Sequence, residues 1–84
     1  MSDAAVHSTH PQIAARLKRA GGHLRHVIEM IETNQPCTDI AQQLQAVERA
    51  IVNAKRTLIH DHIDHCLEAD TSDIESFKTI SRYL

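Results

Sequence analysis

Ile13, Leu17, Ala20, Leu24, Val27 or Ile28, and Ile31 recur at spacings of three and four residues. On a 3.6-residue turn these positions fall in one stripe, which predicts an amphipathic helix. Thr9-His10-Pro11 reads as its start, because proline is tolerated in the first helical turn, and Thr33-Asn34-Gln35-Pro36 reads as its end. A second stripe opens near Cys37 and runs through Ile40, Leu44, Val47, Ile51, Ala54 and Leu58. The same spacing carries it on to His62 and Cys66, a helix of about 30 residues. Glu68 to Ser72 is a polar break, after which Thr71 or Ser72 can cap a short third helix bearing Ile74, Phe77, Ile80 and Leu84. Residues 1–9 have no apolar period and read as an arm. The Gly21-Gly22 pair inside the first stripe costs up to about 1 kcal/mol per residue relative to alanine, and so suggests close packing or a bend.

Composition agrees with an all-α chain. Among 84 residues there are two glycines, two prolines, and Phe77 and Tyr83 as the only aromatics, and no segment alternates as a strand would. The length bounds the chain at one domain, residues 1–84, and so short a domain buries a small share of its surface, which makes oligomerisation an expectation. No apolar run approaches the roughly 20 residues that span a bilayer, and the start of the chain has no basic-then-apolar leader. The reading is therefore a cytoplasmic protein with no membrane partner, its two cysteines reduced and open to metal chemistry.

The formal net charge is −2, but its distribution matters more than its sum. From Ala4 to Ile28 there is no acid, while Arg16, Lys18, Arg19 and Arg25 are present. Acids collect later, as Asp61, Asp64, Glu68, Asp70, Asp73 and Glu75. A basic face repeated by an oligomer can bind phosphates despite an acidic total. No helix-turn-helix or zinc-finger pattern accompanies it, so DNA binding does not follow from a local motif.

His62 and Cys66 are four apart on a helix and so stack on one face, where both can bind one ion. Cys37 precedes His62 by 25 residues on the same helix, which is about 38 Å at 1.5 Å per residue. A site using all three must join two chains. If two copies of the helix pack antiparallel about a centre between Ile51 and Val52, residue 37 of one faces residue 66 of the other, and the ligand types meet twice per dimer. Thiolate and imidazole suit late first-row divalent ions and Cu(I), with Zn(II) among the candidates. His7 and His10 on the arm could supply a fourth ligand. His60 and His65 lie off the stripe, and His23 and His26 read as exposed residues of the basic helix. The competing reading is that His62 and Cys66 only finish a core stripe. No acid–base pair or oriented nucleophile stands out, so the chain does not read as an enzyme.

Taken together, Arg16-Leu-Lys-Arg-Ala-Gly-Gly-His-Leu24, Cys37 opening the second helix, Ile40-Ala-Gln-Gln-Leu-Gln-Ala-Val47, and His62-Ile-Asp-His-Cys66 resemble the CsoR/RcnR/FrmR family of bacterial repressors over nearly the whole chain. The resemblance implies a three-helix subunit, an antiparallel four-helix-bundle dimer, and a dimer of dimers that binds operator DNA when metal-free. Metal binding then releases the DNA and derepresses an efflux gene. It implies metal ligation by Cys37, His62, Cys66 and an arm histidine near His7, and DNA contacts by Arg16, Lys18, Arg19 and Arg49. Glu48-Arg49 stands where many members have Arg-Gly. Pro36 replaces the tyrosine that often precedes the first cysteine of copper sensors, and the arm histidines resemble nickel and cobalt sensors, so Ni(II) or Co(II) is the expected inducer, with Cu(I) as the alternative. A formaldehyde-sensing repressor, which tends to lack the Cys66 thiol, and a metal chaperone that does not bind DNA are the further alternatives.

Overall fold

The computed structural model describes residues 9–68 and 74–84, without the side chains of residues 65–68. Three helices follow one another: α1 spans His10–Glu32, α2 spans Cys37–Glu68 and α3 spans Ile74–Ser81, with no strand among the described residues. The helical periods of the sequence are thus realised with the expected starts and stops. The exception is Leu84, which lies beyond the end of α3. Residues 1–8, with His7, and most of the expected polar break lie outside the described residues.

The α1–α2 corner is specified locally. Asn34 adopts a left-handed φ of 58°, the Gln35 amide donates to the Met30 carbonyl at 2.9 Å, and the Asn34 amide donates to the Ile31 carbonyl at 3.1 Å. This is a Schellman closure, in which asparagine takes the place usually given to glycine. Thr33 adds a hydroxyl bond to the Glu29 carbonyl at 2.7 Å. Pro36 cannot continue α1, and its carbonyl accepts from the Asp39 and Ile40 amides at 3.0 Å to open α2. At the other end of α1, Pro11 occupies the first turn, and the Thr9 carbonyl accepts from the Ile13 amide at 3.0 Å.

From this corner α1 folds back along α2, and α3 packs on α2. The core between the helices is thin: Ile13, Ala20, Val27, Val47, Ala54 and Ile59 are its buried apolar residues. Each apolar stripe in the sequence is in fact two stripes. Ile13, Ala20 and Val27 turn inward at intervals of seven, while Leu17, Leu24, Ile28 and Ile31 on the flank of α1 stay 39–55% exposed. On α2, Val47 and Ala54 turn inward, while Leu44, Ile51 and Leu58 stay 37–45% exposed. The subunit measures 55 × 25 × 13 Å, and the least of these is close to one helix diameter of about 10–12 Å. A layer one helix thick leaves a broad apolar flank that the chain itself does not cover.

The Gly21-Gly22 pair departs from expectation. Among the described residues, a Cβ on Gly21 would meet nothing within 4 Å, and one on Gly22 would meet only the Arg25 guanidinium at 3.9 Å. Close packing within the subunit therefore does not explain the pair, and α1 continues through it. No helix among the described residues is long and apolar enough to cross a membrane.

Candidate metal centre and basic face

Cys37 is the first residue of α2, exposed and with a free thiol. His62 lies near the opposite end of the same helix, half-buried, and Cys66 is one turn beyond it, its side chain outside the described set. Because α2 is continuous from Cys37 to Glu68, the rise of 1.5 Å per residue keeps Cys37 and His62 of one chain about 38 Å apart. One subunit cannot bring them to a common ion. Among the described residues, no group of three or more His, Cys, Asp or Glu side chains converges within the subunit.

His62 is held by a contact that local sequence pattern does not show. Its Nε2 is 2.6 Å from the Ser76 hydroxyl of α3, across the break that separates α2 from α3. With Nε2 engaged, Nδ1 is the nitrogen left for an ion, and a hydrogen bond on the far nitrogen is how ligating histidines are usually oriented. The donor chemistry available here is one exposed thiol, one oriented imidazole and a second cysteine a turn away, and this set fits a soft or borderline metal ion.

The basic residues of α1 divide between two faces. Arg16 and Arg19 line an open groove between α1 and α2 together with Ala20, His23, Ala50 and Asn53. Asn53 also belongs to an adjoining patch on α2 formed by Gln45, Glu48, Arg49, Val52 and Arg56, so Arg49 is brought next to the Arg16–Arg19 groove. Lys18 is exposed and lines neither surface. His23, read from sequence as a plain surface residue, is half-buried, and its Nε2 lies 2.7 Å from Gln43 Oε1 of α2. A signal for it was present, because positions 16, 19 and 23 share a helix face by their spacing.

A family model described as metal-sensitive transcriptional repressor matches residues 9–83. The chain belongs to this family, which is one of repressors and not of enzymes. It is 40% identical over 58 residues to the copper-sensing transcriptional repressor CsoR of Mycobacterium ulcerans, covering 69% of this chain and 50% of that protein. It is 36% identical over 73 residues to the CsoR of Bacillus subtilis, covering 87% of this chain and 72% of that protein. To the copper-sensing repressor RicR of Mycobacterium tuberculosis it is 35% identical over 54 residues, covering 64% of this chain and 56% of that protein. The chain thus spans about half the length of the mycobacterial relatives. No solved structure matches it significantly. Each of these relatives is named for copper, and none of the three for the nickel or cobalt expected from Pro36 and the arm histidines.

Proposed function

We propose that residues 1–84 form one domain, the subunit of a transcriptional repressor that holds operator DNA when metal-free and releases it on binding Cu(I). The observation that carries this reading is the exposed heptad of α2. Leu44, Ile51 and Leu58 are uncovered at intervals of seven, and Cys37 lies one heptad before Leu44 on the same stripe. A two-fold axis at Ile51 pairs Leu44 with Leu58 of a second copy. It also sets Cys37 opposite position 65 of the second copy, beside His62 and Cys66. The dimer that covers the apolar flank is therefore the one that gathers the ligands, in an antiparallel four-helix bundle with two sites.

In this reading Cys37 comes from one subunit and His62 and Cys66 from the other, with His7 of the arm as a further donor. These residues would hold Cu(I), whose preference for soft donors two thiolates satisfy and with which one imidazole is compatible. The chain's own residues carry the signal. Cys37 sits at the α1–α2 corner and His62 is clipped to α3 through Ser76, so joining them ties the corner of one subunit to the far end of the other. Arg16, Lys18, Arg19 and Arg49 are assigned to DNA phosphates, and two dimers together repeat each contact. A second reading keeps Ni(II) or Co(II) as inducer, favoured by Pro36 at the position before Cys37.

The test is a DNA-binding titration of metal-free protein against a labelled duplex from upstream of its own gene, with Cu(I), Ni(II) or Co(II) then added. Cu(I) is expected to weaken DNA binding by roughly 5- to 150-fold, and DNA to weaken Cu(I) binding by the same factor, since coupling is reciprocal. Release by Ni(II) or Co(II) but not by Cu(I) transfers the role to the second reading. Absence of DNA binding at low salt defeats both and leaves a metal chaperone. Release by formaldehyde alone would point to an aldehyde sensor.

A further inference from the structure

The groove between α1 and α2 holds a titratable ring among permanent cations. Arg16, Arg19 and His23 stand along one side, and Asn53 of α2 reaches the same space. Ala20, which is 5% exposed, and Ala50 line it with methyl groups only, leaving room between the two arginines and the imidazole. Among the described residues, no carboxylate lines this groove. Its lining comes from α1 and α2 alone, and on α2 it consists of Ala50 and Asn53. Through Asn53 the groove adjoins a patch that also carries Glu48, Arg49 and Arg56. Along α1, His26 and Arg25 flank His23, both exposed.

His23 does not swing freely over this space. Its Nε2 donates to Gln43 Oε1 at 2.7 Å, so the neutral ring carries its lone pair on Nδ1. In that state the ring cannot donate to an anion through Nδ1. Uptake of one proton there converts the acceptor into a donor and adds a positive charge beside Arg16 and Arg19. An anion seated beside the ring is attracted to the added charge, so proton uptake and anion binding assist each other. Histidine is the residue type that makes this exchange between about pH 5 and 8.

We propose that His23, held in place by Gln43, is a phosphate-binding residue of this groove, and that its hold on the nucleic-acid backbone tightens when the ring takes up a proton. The inference rests on the DNA-binding reading above and adds to it a residue and a response to pH. Gln43 is a positioning residue, since it acts through His23. A phosphodiester is the anion that fits, because two guanidiniums, an imidazolium and an amide from two helices can share its oxygens, and because the groove opens to the surface along the basic side of α1.

The experiment measures duplex binding by the full-length protein, kept reduced and metal-free with a chelator so that the cysteines and His62 play no part as ligands. Wild-type binding at fixed salt is expected to strengthen several-fold from pH 8 to pH 6, within the limit of tenfold per pH unit that one linked proton allows. Its salt dependence should also steepen at pH 6, by about 0.9 in log–log slope for each added phosphate contact. H23Q should bind the duplex several-fold more weakly than wild type at pH 6 and show neither the pH response nor the steeper slope, whereas H26Q should keep both. Q43A, which frees the ring, should show a reduced pH response. Unchanged Cu(I) affinity of H23Q certifies its fold. A pH response that survives in H23Q, or disappears in H26Q instead, overturns the assignment. A wild-type protein that binds no duplex at low salt at either pH defeats the repressor reading itself, which is a distinct outcome.

Discussion

The two apolar stripes of this helical pair differ in a way that reverses the usual order of size. The stripe that the subunit buries is made largely of small side chains, Ala20, Val27, Val47 and Ala54, with Ile13 and Ile59 toward one end. The flank that it leaves uncovered carries the larger ones, Leu17, Leu24, Ile28 and Ile31 on α1 with Leu44, Ile51 and Leu58 on α2. Small residues let α1 and α2 approach closely, but they contribute little hydrophobic free energy, since burial scales with apolar area at about 25 cal/mol per Å². A substantial share of the free energy that apolar burial could supply is therefore left for a second layer. Assembly should add to the stability of the single subunit, and the proposed metal ligands lie at the two ends of the flank that the proposed dimer would cover.

The most damaging change to this arrangement should be Ile51→Glu. Position 51 lies on the proposed two-fold, so each dimer loses two buried isoleucines and sets two carboxylates against each other. Ile51 is 45% exposed in the single subunit, so pairing buries about half of each side chain. At about 1.5–3 kcal/mol per fully buried side chain the loss is about 1.5–3 kcal/mol per dimer, or roughly 10- to 150-fold in dimer dissociation, with the carboxylate repulsion added to it. Sedimentation or light scattering checks the mass, and a chelator competition checks Cu(I) affinity on the same sample. Both should fall together. An inner-stripe change such as Val47→Ala should instead lower thermal stability, with dimer dissociation and the metal site less affected. If Ile51→Glu dissociates the protein but leaves tight Cu(I) binding, the site does not span two subunits.

A smaller effect, confined to one end of the flank, is expected of Ser76→Ala. This removes the hydroxyl 2.6 Å from His62 Nε2 while leaving every proposed ligand in place. Loss of a hydrogen bond that orients a metal-ligating histidine typically costs 10- to 100-fold in metal affinity. Metal-free stability should change by only about 1 kcal/mol, the ordinary net value of one hydrogen bond. The ratio of the two effects is the informative quantity. Equal losses in the metal-free and metal-bound proteins would make Ser76 a clip between α2 and α3 and nothing more.

The comparison also separates what local sequence encodes from what it does not. Helix periods, the Thr33–Pro36 stop and the start at Cys37 were legible because they depend on neighbouring residues and proline chemistry. The impossibility of a one-chain site from Cys37 and His62 was legible as well, because the helical rise is a constant. A period of 3.6 locates an apolar stripe but does not say what lies against it, so the division of Leu17, Leu24 and Ile31 from Ile13, Ala20 and Val27 was not visible. Ser76 against His62 and Gln43 against His23 are 14 and 20 residues apart in sequence. Such pairings are products of how the helices fold back, and no local spacing announces them.

The smallest expected effect concerns Gly21, which tests whether anything beyond the subunit approaches α1. Its backbone is helical, its φ is not positive, and a Cβ there meets nothing within 4 Å among the described residues, so Gly21→Ala brings no clash with them. Alanine in a helix interior is favoured over glycine by about 0.5–1 kcal/mol, because the unfolded chain loses freedom and the helix gains a better former. Thermal unfolding of the metal-free protein should accordingly shift upward by a few degrees, for about 1 kcal/mol in a domain of this size moves the midpoint by about 4–8 °C. Gly22→Ala should behave similarly, with its Cβ only in ordinary contact with the end of the Arg25 side chain. DNA binding and dimer mass should stay as they are. A Gly21→Ala protein that is more stable alone yet binds the duplex or its partner less tightly would show that the missing Cβ is reserved for a close approach by another molecule, and α1 would then be part of a contact surface as well as a wall of the core.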